Sequence, residues 1–198
     1  MRELTTLSDA ELLKRMAAGD EPAFVALYRR RQGPVYRFAL QMGGSASVAE
    51  EVTQEVFLAL IREAAQYDPA RGSVAAYLYG IARNQVLRRF EQDRSYVSIA
   101  DEGREENAAL PDGFISPDDP LAELTRHERI ESVRRAVLSL PASYREVVVL
   151  CDLHEMSYAE AAGVLGSPVG TVRSRLHRGR ALLLEKLRAR GSPARCCI

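Results

Sequence analysis

Residues 157–180 read SYAEAAGVLGSPVGTVRSRLHRGR, and this stretch decides the fold. Ser157 followed by Glu160 is a capping box: the hydroxyl and the carboxylate each satisfy a backbone N–H at the start of a helix. Ala161, Ala162 and Leu165 give that helix a small apolar face, and Gly166 can take the left-handed conformation that ends it. Ser167 then offers a second N-cap, and Pro168 sits at the first helical position, where its missing N–H costs nothing. Two helices around a tight turn make a helix-turn-helix. At about 100° per residue, Val169, Val172, Leu176, Gly179 and Leu183 share one side of the second helix, and Gly170, Thr171, Ser174, His177 and Arg178 share the other. Arg173 and Arg175 flank the polar face. Such a helix can turn Ser174, His177 and Arg178 to base edges while the flanking arginines hold phosphates. The plainer alternative is an amphipathic helix with a solvated basic face.

A chain of 198 residues with 46% apolar content is long enough for two small domains. Lys plus Arg equals Asp plus Glu at 27 each, so net charge says nothing about nucleic acid and distribution must be read instead. Basic residues crowd the second helix and the stretch from Arg83 to Arg94; acidic ones crowd the segment between them. No apolar run is long enough to span a bilayer, and Arg2, Glu3 and Asp9 interrupt any signal-peptide pattern, so a cytoplasmic protein without membrane insertion is expected. Cys151, Cys196 and Cys197 are too few and too badly spaced for a disulfide framework.

From the N-terminus, Ser8 with Glu11 caps a short helix that stops at Gly19, and Asp20 caps a longer one with Gly33-Pro34 as a kink or interruption. Gly43-Gly44 ends it, and Ser47 with Glu50 forms another capping box for a helix running to about Gln66. On that helix Val48, Val52, Val56, Ala59 and Leu60 form one side, extended by Phe57 and Ile61. Leu58 falls instead among Glu51, Gln54, Glu55 and Arg62, where it is either an ordinary exposed leucine or the centre of a docking patch for another protein. After the turn-rich loop 67–72, Ser73 caps a helix with Val74, Tyr77, Leu78, Ile81 and Ala82 facing a core. It ends in Arg83, Arg88, Arg89 and Arg94, a cluster suited to phosphates or simply to the negative end of the helix dipole. Periodicity fails over residues 95–120, which read as a flexible acidic linker between domains at 8–94 and 121–190. Helical pattern resumes near Leu121 with Ile130, Val133, Val137 and Leu140, stops at Pro141, and returns as a short apolar helix through Tyr144, Val147 and Leu150. The fold class is therefore all-α, in two small helical domains.

Residues 51–90, EVTQEVFLALIREAAQYDPARGSVAAYLYGIARNQVLRRF, resemble region 2 of the bacterial sigma-70 family. Residues 140–180, LPASYREVVVLCDLHEMSYAEAAGVLGSPVGTVRSRLHRGR, resemble region 4, and a short chain with only these two regions resembles the extracytoplasmic-function (ECF) subgroup. The resemblance implies a sigma factor that binds core RNA polymerase and directs initiation at promoter DNA. It implies that Glu51, Gln54, Glu55 and Leu58 contact the β′ clamp helices of the polymerase. Through the family's IA-x-N motif, here Ile81-Ala82-Arg83-Asn84, it puts Asn84 at a flipped base of the −10 element, with Tyr67, Arg83, Arg88 and Arg89 around it. The GTVRSR motif at residues 170–175 implies −35 reading in the major groove by Thr171, Arg173, Ser174, Arg175, His177 and Arg178. An anti-sigma protein is a further partner that many relatives have. The chain departs from the pattern in having Ile61 and Tyr77 where relatives often carry tryptophan, and Ala161 and Gly163 where larger or more helix-favouring residues are usual.

No catalytic constellation or phosphate-cradling glycine loop is present, so neither an enzyme nor a cofactor is expected. Cys151 with His154 is half a metal site, and Cys196 and Cys197 read as incidental thiols of a tail, so no metal is expected either. The alternative function is a stand-alone helix-turn-helix regulator, which has no need of an exposed Leu58 within a Gln/Glu face.

Overall fold

Local capping sets the first helices of the structure, a computed structural model that describes residues 4, 6–97 and 120–191. Ser8 and Glu11 form the expected reciprocal box and open α1 (Asp9–Ala17). The Asp20 carboxylate accepts from the Ala23 N–H and opens α2 (Glu21–Gly43). Gly33-Pro34 does not interrupt α2, which runs through Pro34 unbroken. Its buried Leu27, Val35, Phe38 and Leu40 lie on both sides of the proline, and their packing against α1 and the next helices outweighs the local penalty. Gly44 then takes a left-handed φ of +82°, so the chain reverses sooner than the 47–50 pattern suggests. The cap of α3 (Ala46–Glu63) is accordingly Ser45, whose hydroxyl accepts from the Val48 N–H. Two short 3-10 turns, Ala64–Gln66 and Pro69–Arg71, lead to α4 (Val74–Val97), and the Ser73 hydroxyl accepts from the Ala76 N–H at its start.

The second half holds α5 (Pro120–Leu138), α6 (Ala142–Val148), one π-helical turn (Val149–Leu153), α7 (Tyr158–Leu165) and α8 (Val169–Gly191). No strand occurs among the described residues, so the β-branched run Val147–Val149 is helical, with all three side chains buried. Of the expected linker 95–120, α4 takes its first residues and α5 its last, and residues 98–119 lie outside the described ones. The capping box of Ser157 and Glu160 and the left-handed Gly166 are both present. The second helix starts one residue later than expected: Pro168 supplies the carbonyl that accepts from Val172, and the Ser167 hydroxyl donates back to Leu165 instead of capping. Helices α6 and α8 approach closely at Gly179, where a Cβ would lie 2.9 Å from Val148 Cγ2 and 3.3 Å from the Tyr144 carbonyl oxygen.

The two halves pack on each other, α4 against α7 and α2 against both α5 and the π turn. His154 sits at the centre of this seam. Its Nδ1 accepts from the Tyr79 hydroxyl at 2.8 Å and its Nε2 donates to Gln41 Oε1 at 2.9 Å, an arrangement that fixes the neutral tautomer with the proton on Nε2. Phe38 and Tyr79 wall the ring. Burial, and the Arg37 charge on α2, push the imidazole pKa down to about 4. Arg83 pairs with Glu146 at 2.7 Å, and the Ser73 hydroxyl donates to Glu160 at 2.9 Å. Of the apolar positions read on α5, Val137 is buried, whereas Ile130 and Val133 are exposed.

Two outcomes test this packing. Gly179→Ala should lower the melting temperature, since overpacking costs about 1–3 kcal/mol and the gain in helix propensity is at most about 1 kcal/mol. Gly163→Ala meets nothing within 4 Å and should raise it, by roughly 0.5–1 kcal/mol of stability. The seam should also be pH-dependent. With its pKa depressed from 6.5 to about 4, His154 contributes fully above pH 6.5, and the contribution is lost as pH falls from 6.5 towards 4. Thermal melts of the wild type minus His154→Gln, taken between pH 8 and pH 4, should isolate that loss from the carboxylates.

Candidate nucleic-acid and polymerase interfaces

Three exposed surfaces carry the residues singled out from the sequence. The first is on α3. Heptad-like burial of Val52, Val56, Phe57 and Leu60 against α2 and α4 turns Glu51, Gln54 and Leu58 outward, and Leu58 is 50% exposed. Glu55 is half-buried beside them, and Glu51 is paired with Arg89 of α4. Ile61, one turn on from Leu58, is 52% exposed and does not extend the core-facing surface. The two apolar side chains thus form a single outward ridge, which the i, i+3 spacing could have suggested.

The second surface is a cleft of about 480 Å³ with Tyr67, Tyr77, Gly80 and Asn84 on one side. Asn84 points into it from the exposed face of α4. Tyr67 is fixed by donating its hydroxyl to the Gly72 carbonyl at 2.9 Å, and its ring lies 5.7 Å from that of Tyr77. Burial raises the pKa of both phenols, so both remain neutral. Arg71, which was not singled out from the sequence, lines the same cleft. Arg88 is exposed, whereas Arg83 and Arg89 are engaged in the ion pairs with Glu146 and Glu51. The opposite wall of the cleft is α7, through Ala159, Glu160, Gly163 and Val164.

The third surface is the outer face of α8. Val172, Leu176 and Gly179 are buried, and Arg173, Ser174, His177 and Arg178 are exposed, as the wheel requires; Thr171 and Arg175 are half-buried at its edges. The Ser174 hydroxyl donates to the Thr171 carbonyl. The Arg173 guanidinium lies 5.7 Å from the centre of the Tyr158 ring, and Asp152 holds Arg180 through both carboxylate oxygens, at 3.1 and 2.5 Å. Both neighbours come from outside the helix and orient its cations, which helical periodicity alone does not reveal. Among the described residues no three His, Cys, Asp or Glu side chains gather as a metal site, and both nitrogens of His154 are committed to Tyr79 and Gln41. Cys196 and Cys197 lie outside the described residues. Among the described residues no helix is long and apolar enough to cross a membrane.

Comparison with known proteins places these surfaces in a common frame. Residues 27–96 match the family model for sigma-70 region 2, and residues 130–183 match that for sigma-70 region 4. The chain is 35% identical to the ECF RNA polymerase sigma factor SigE of Mycolicibacterium smegmatis, over 86% of this chain and 65% of that relative. It is 30% identical to the ECF RNA polymerase sigma factor SigW of Bacillus subtilis, over 89% of this chain and 95% of SigW. Among solved structures it is similar to CnrH in complex with the cytosolic domain of CnrY, at a TM-score of 0.65 and 26% identity, covering 91% of this chain and 97% of CnrH. With both regions present in order and SigW matched over nearly its whole length, the chain belongs to the sigma-70 family, among the ECF RNA polymerase sigma factors.

Proposed function

We propose that this chain binds core RNA polymerase through α3 and reads a promoter at two places, the −10 element with α4 and the −35 element with α8. The observation that carries the reading is the outward ridge of Leu58 and Ile61 amid Glu51, Gln54 and Arg62, on the same bundle as the Asn84 cleft. A stand-alone DNA-binding regulator has no use for such a ridge. An apolar centre with a charged rim suits a protein partner, here the clamp helices of the polymerase β′ subunit. Asn84, over the floor made by Tyr67 and Tyr77, has the hydrogen-bonding edge and the aromatic surroundings that an unstacked base needs. Arg83, Arg88 and Arg89 supply charge for the strand. On α8, Ser174, His177 and Arg178 face base edges, while Thr171, Arg173 and Arg175 hold the backbone. The working compartment is the cytoplasm, where the polymerase is. CnrH was solved with a protein partner, and an anti-sigma protein is the corresponding candidate for this chain.

Domains at 8–94 and 121–190 divide these tasks, so they should separate by mutation. Leu58→Asp should weaken binding to core polymerase by roughly 2 kcal/mol or more, near 30-fold, while the melting temperature stays unchanged, because the side chain is exposed. Arg178→Glu should abolish initiation from a −35-dependent promoter in reconstituted transcription while leaving core binding intact. Equal loss of both activities in Arg178→Glu would contradict the division of labour, and wild-type protein that neither binds core polymerase nor initiates would defeat the whole reading.

A further inference from the structure

Arg180 lies two turns after Arg173 on α8, and at about 100° per residue both fall on the same flank of the face that carries Ser174, His177 and Arg178. That spacing is about 10 Å along the helix axis. Each is held by a side chain from outside the helix, Arg173 by the ring of Tyr158 and Arg180 by the carboxylate of Asp152. The second hold is side-on. Asp152 Oδ2 accepts from Nε at 3.1 Å and Oδ1 from Nη2 at 2.5 Å, so the remaining edge of the guanidinium, Nη1 with the outer N–H of Nη2, is turned away from the carboxylate. The Arg180 side chain is 55% exposed. A planar guanidinium pinned along one edge offers on the other a fork of fixed direction, the shape that a phosphate oxygen pair accepts from arginine. Asp152 is in turn fixed by the backbone. It belongs to the π turn Val149–Leu153, where the His154 N–H donates to the Val149 carbonyl at 3.0 Å and Val149 and Leu150 are buried. A π turn holds more residues than an α turn, so Asp152 points where a continued α6 would not place it.

We propose that Arg180 is a further contact to the DNA backbone at the −35 element and that Asp152 is its positioning residue, aiming the free edge of the guanidinium at a phosphate on the flank where Arg173 meets another. The inference rests on the proposed reading of the −35 element by α8. Arg180 lies to the side of the residues placed at base edges, so its contact carries affinity and not sequence preference. Preorganisation is the gain from Asp152: a side chain already held in one direction loses less freedom when the phosphate arrives.

The test uses holoenzyme reconstituted from core polymerase and the full chain, with abortive initiation from a −35-dependent promoter separating the promoter-binding constant from the rate of opening at several salt concentrations. Arg180→Gln should lower the binding constant roughly tenfold at fixed salt, the usual worth of a hydrogen bond to a charged group, and leave the opening rate unchanged. It should reduce the slope of log K against log salt by about one, and by the same amount on templates substituted within the −35 element. Arg180→Lys keeps the charge and loses the fork, so it should keep the slope and still bind roughly threefold more weakly. Asp152→Asn removes a negative charge beside the DNA, yet it should weaken binding by roughly threefold with no fall in slope, and cost nothing further in the Arg180→Gln background. Circular dichroism melts check the fold of each variant, and Arg180→Lys carries the test of the fork if Asp152→Asn is destabilised. Unchanged binding and slope in Arg180→Gln would overturn the contact and leave the −35 reading to Arg173 and Arg178. Tighter binding by Asp152→Asn would overturn the positioning role and reduce Asp152 to a neutralising partner. Wild-type holoenzyme indifferent to every −35 substitution would instead defeat the reading on which the inference rests.

Discussion

The C-terminal end of α2 leaves backbone carbonyls pointing out of the helix with no basic residue in its own last turn. The cations come from the other half of the chain. Arg145 donates to the Met42 carbonyl at 2.6 Å and also to the carbonyls of Leu138 and Leu140, which end α5 and lead into α6. Arg134 donates to the Gly44 carbonyl at 2.9 Å. One guanidinium therefore ties together three chain segments by meeting acceptors that no helix can satisfy internally. Its burial, which lowers the Arg145 pKa, is compensated by those bonds and by the Glu146 charge beside it. The positions of His154 against Phe38 and of Glu146 against Arg83 follow from this junction.

Much of the fold was legible because capping chemistry is local. Ser8, Asp20, Ser157 and Gly166 each do what their side chain or lack of one dictates within four residues. The misplacements arose where tertiary contact or backbone freedom decided between local options. Ser45 supersedes Ser47 because Gly44 reverses the chain early, and Pro34 stays inside α2 because the residues on both sides are buried. The candidate site was legible in its faces and not in its neighbours. A wheel finds Leu58 and Ser174 exposed, but it assigned Ile61 inward, because the edge of an apolar stripe does not say where the neighbouring helix stops covering it. Asp152 beside Arg180 and Glu146 beside Arg83 are separated in sequence by 28 and 63 residues, and no periodicity connects them.

Balanced overall charge conceals this pairing. The 27 basic and 27 acidic residues do not cancel diffusely. Arg83, Arg89 and Arg180, all on surfaces suited to DNA or next to them, each have a carboxylate against them in the free chain. Arg173, His177 and Arg178 stay open to solvent. Arg173 and Arg178 thus give α8 an exposed positive face, which suits electrostatic attraction to duplex DNA.

The close approach at Gly179 divides α8 into two kinds of position. Gly179 lies against Val148 and Tyr144 of α6 with no room for a Cβ, and Val172 and Leu176 are buried on the same side, so the axis of the helix is set by its inner face. Arg173, Ser174, His177 and Arg178 are exposed, and apart from the contact of Arg173 with Tyr158 their exchange leaves the packed inner face untouched. On the proposed −35 reading, sequence preference and stability lie on opposite sides of one rod. On that proposed reading, a lineage carrying this scaffold can change which sites it reads by single exposed substitutions without passing through an unfolded intermediate.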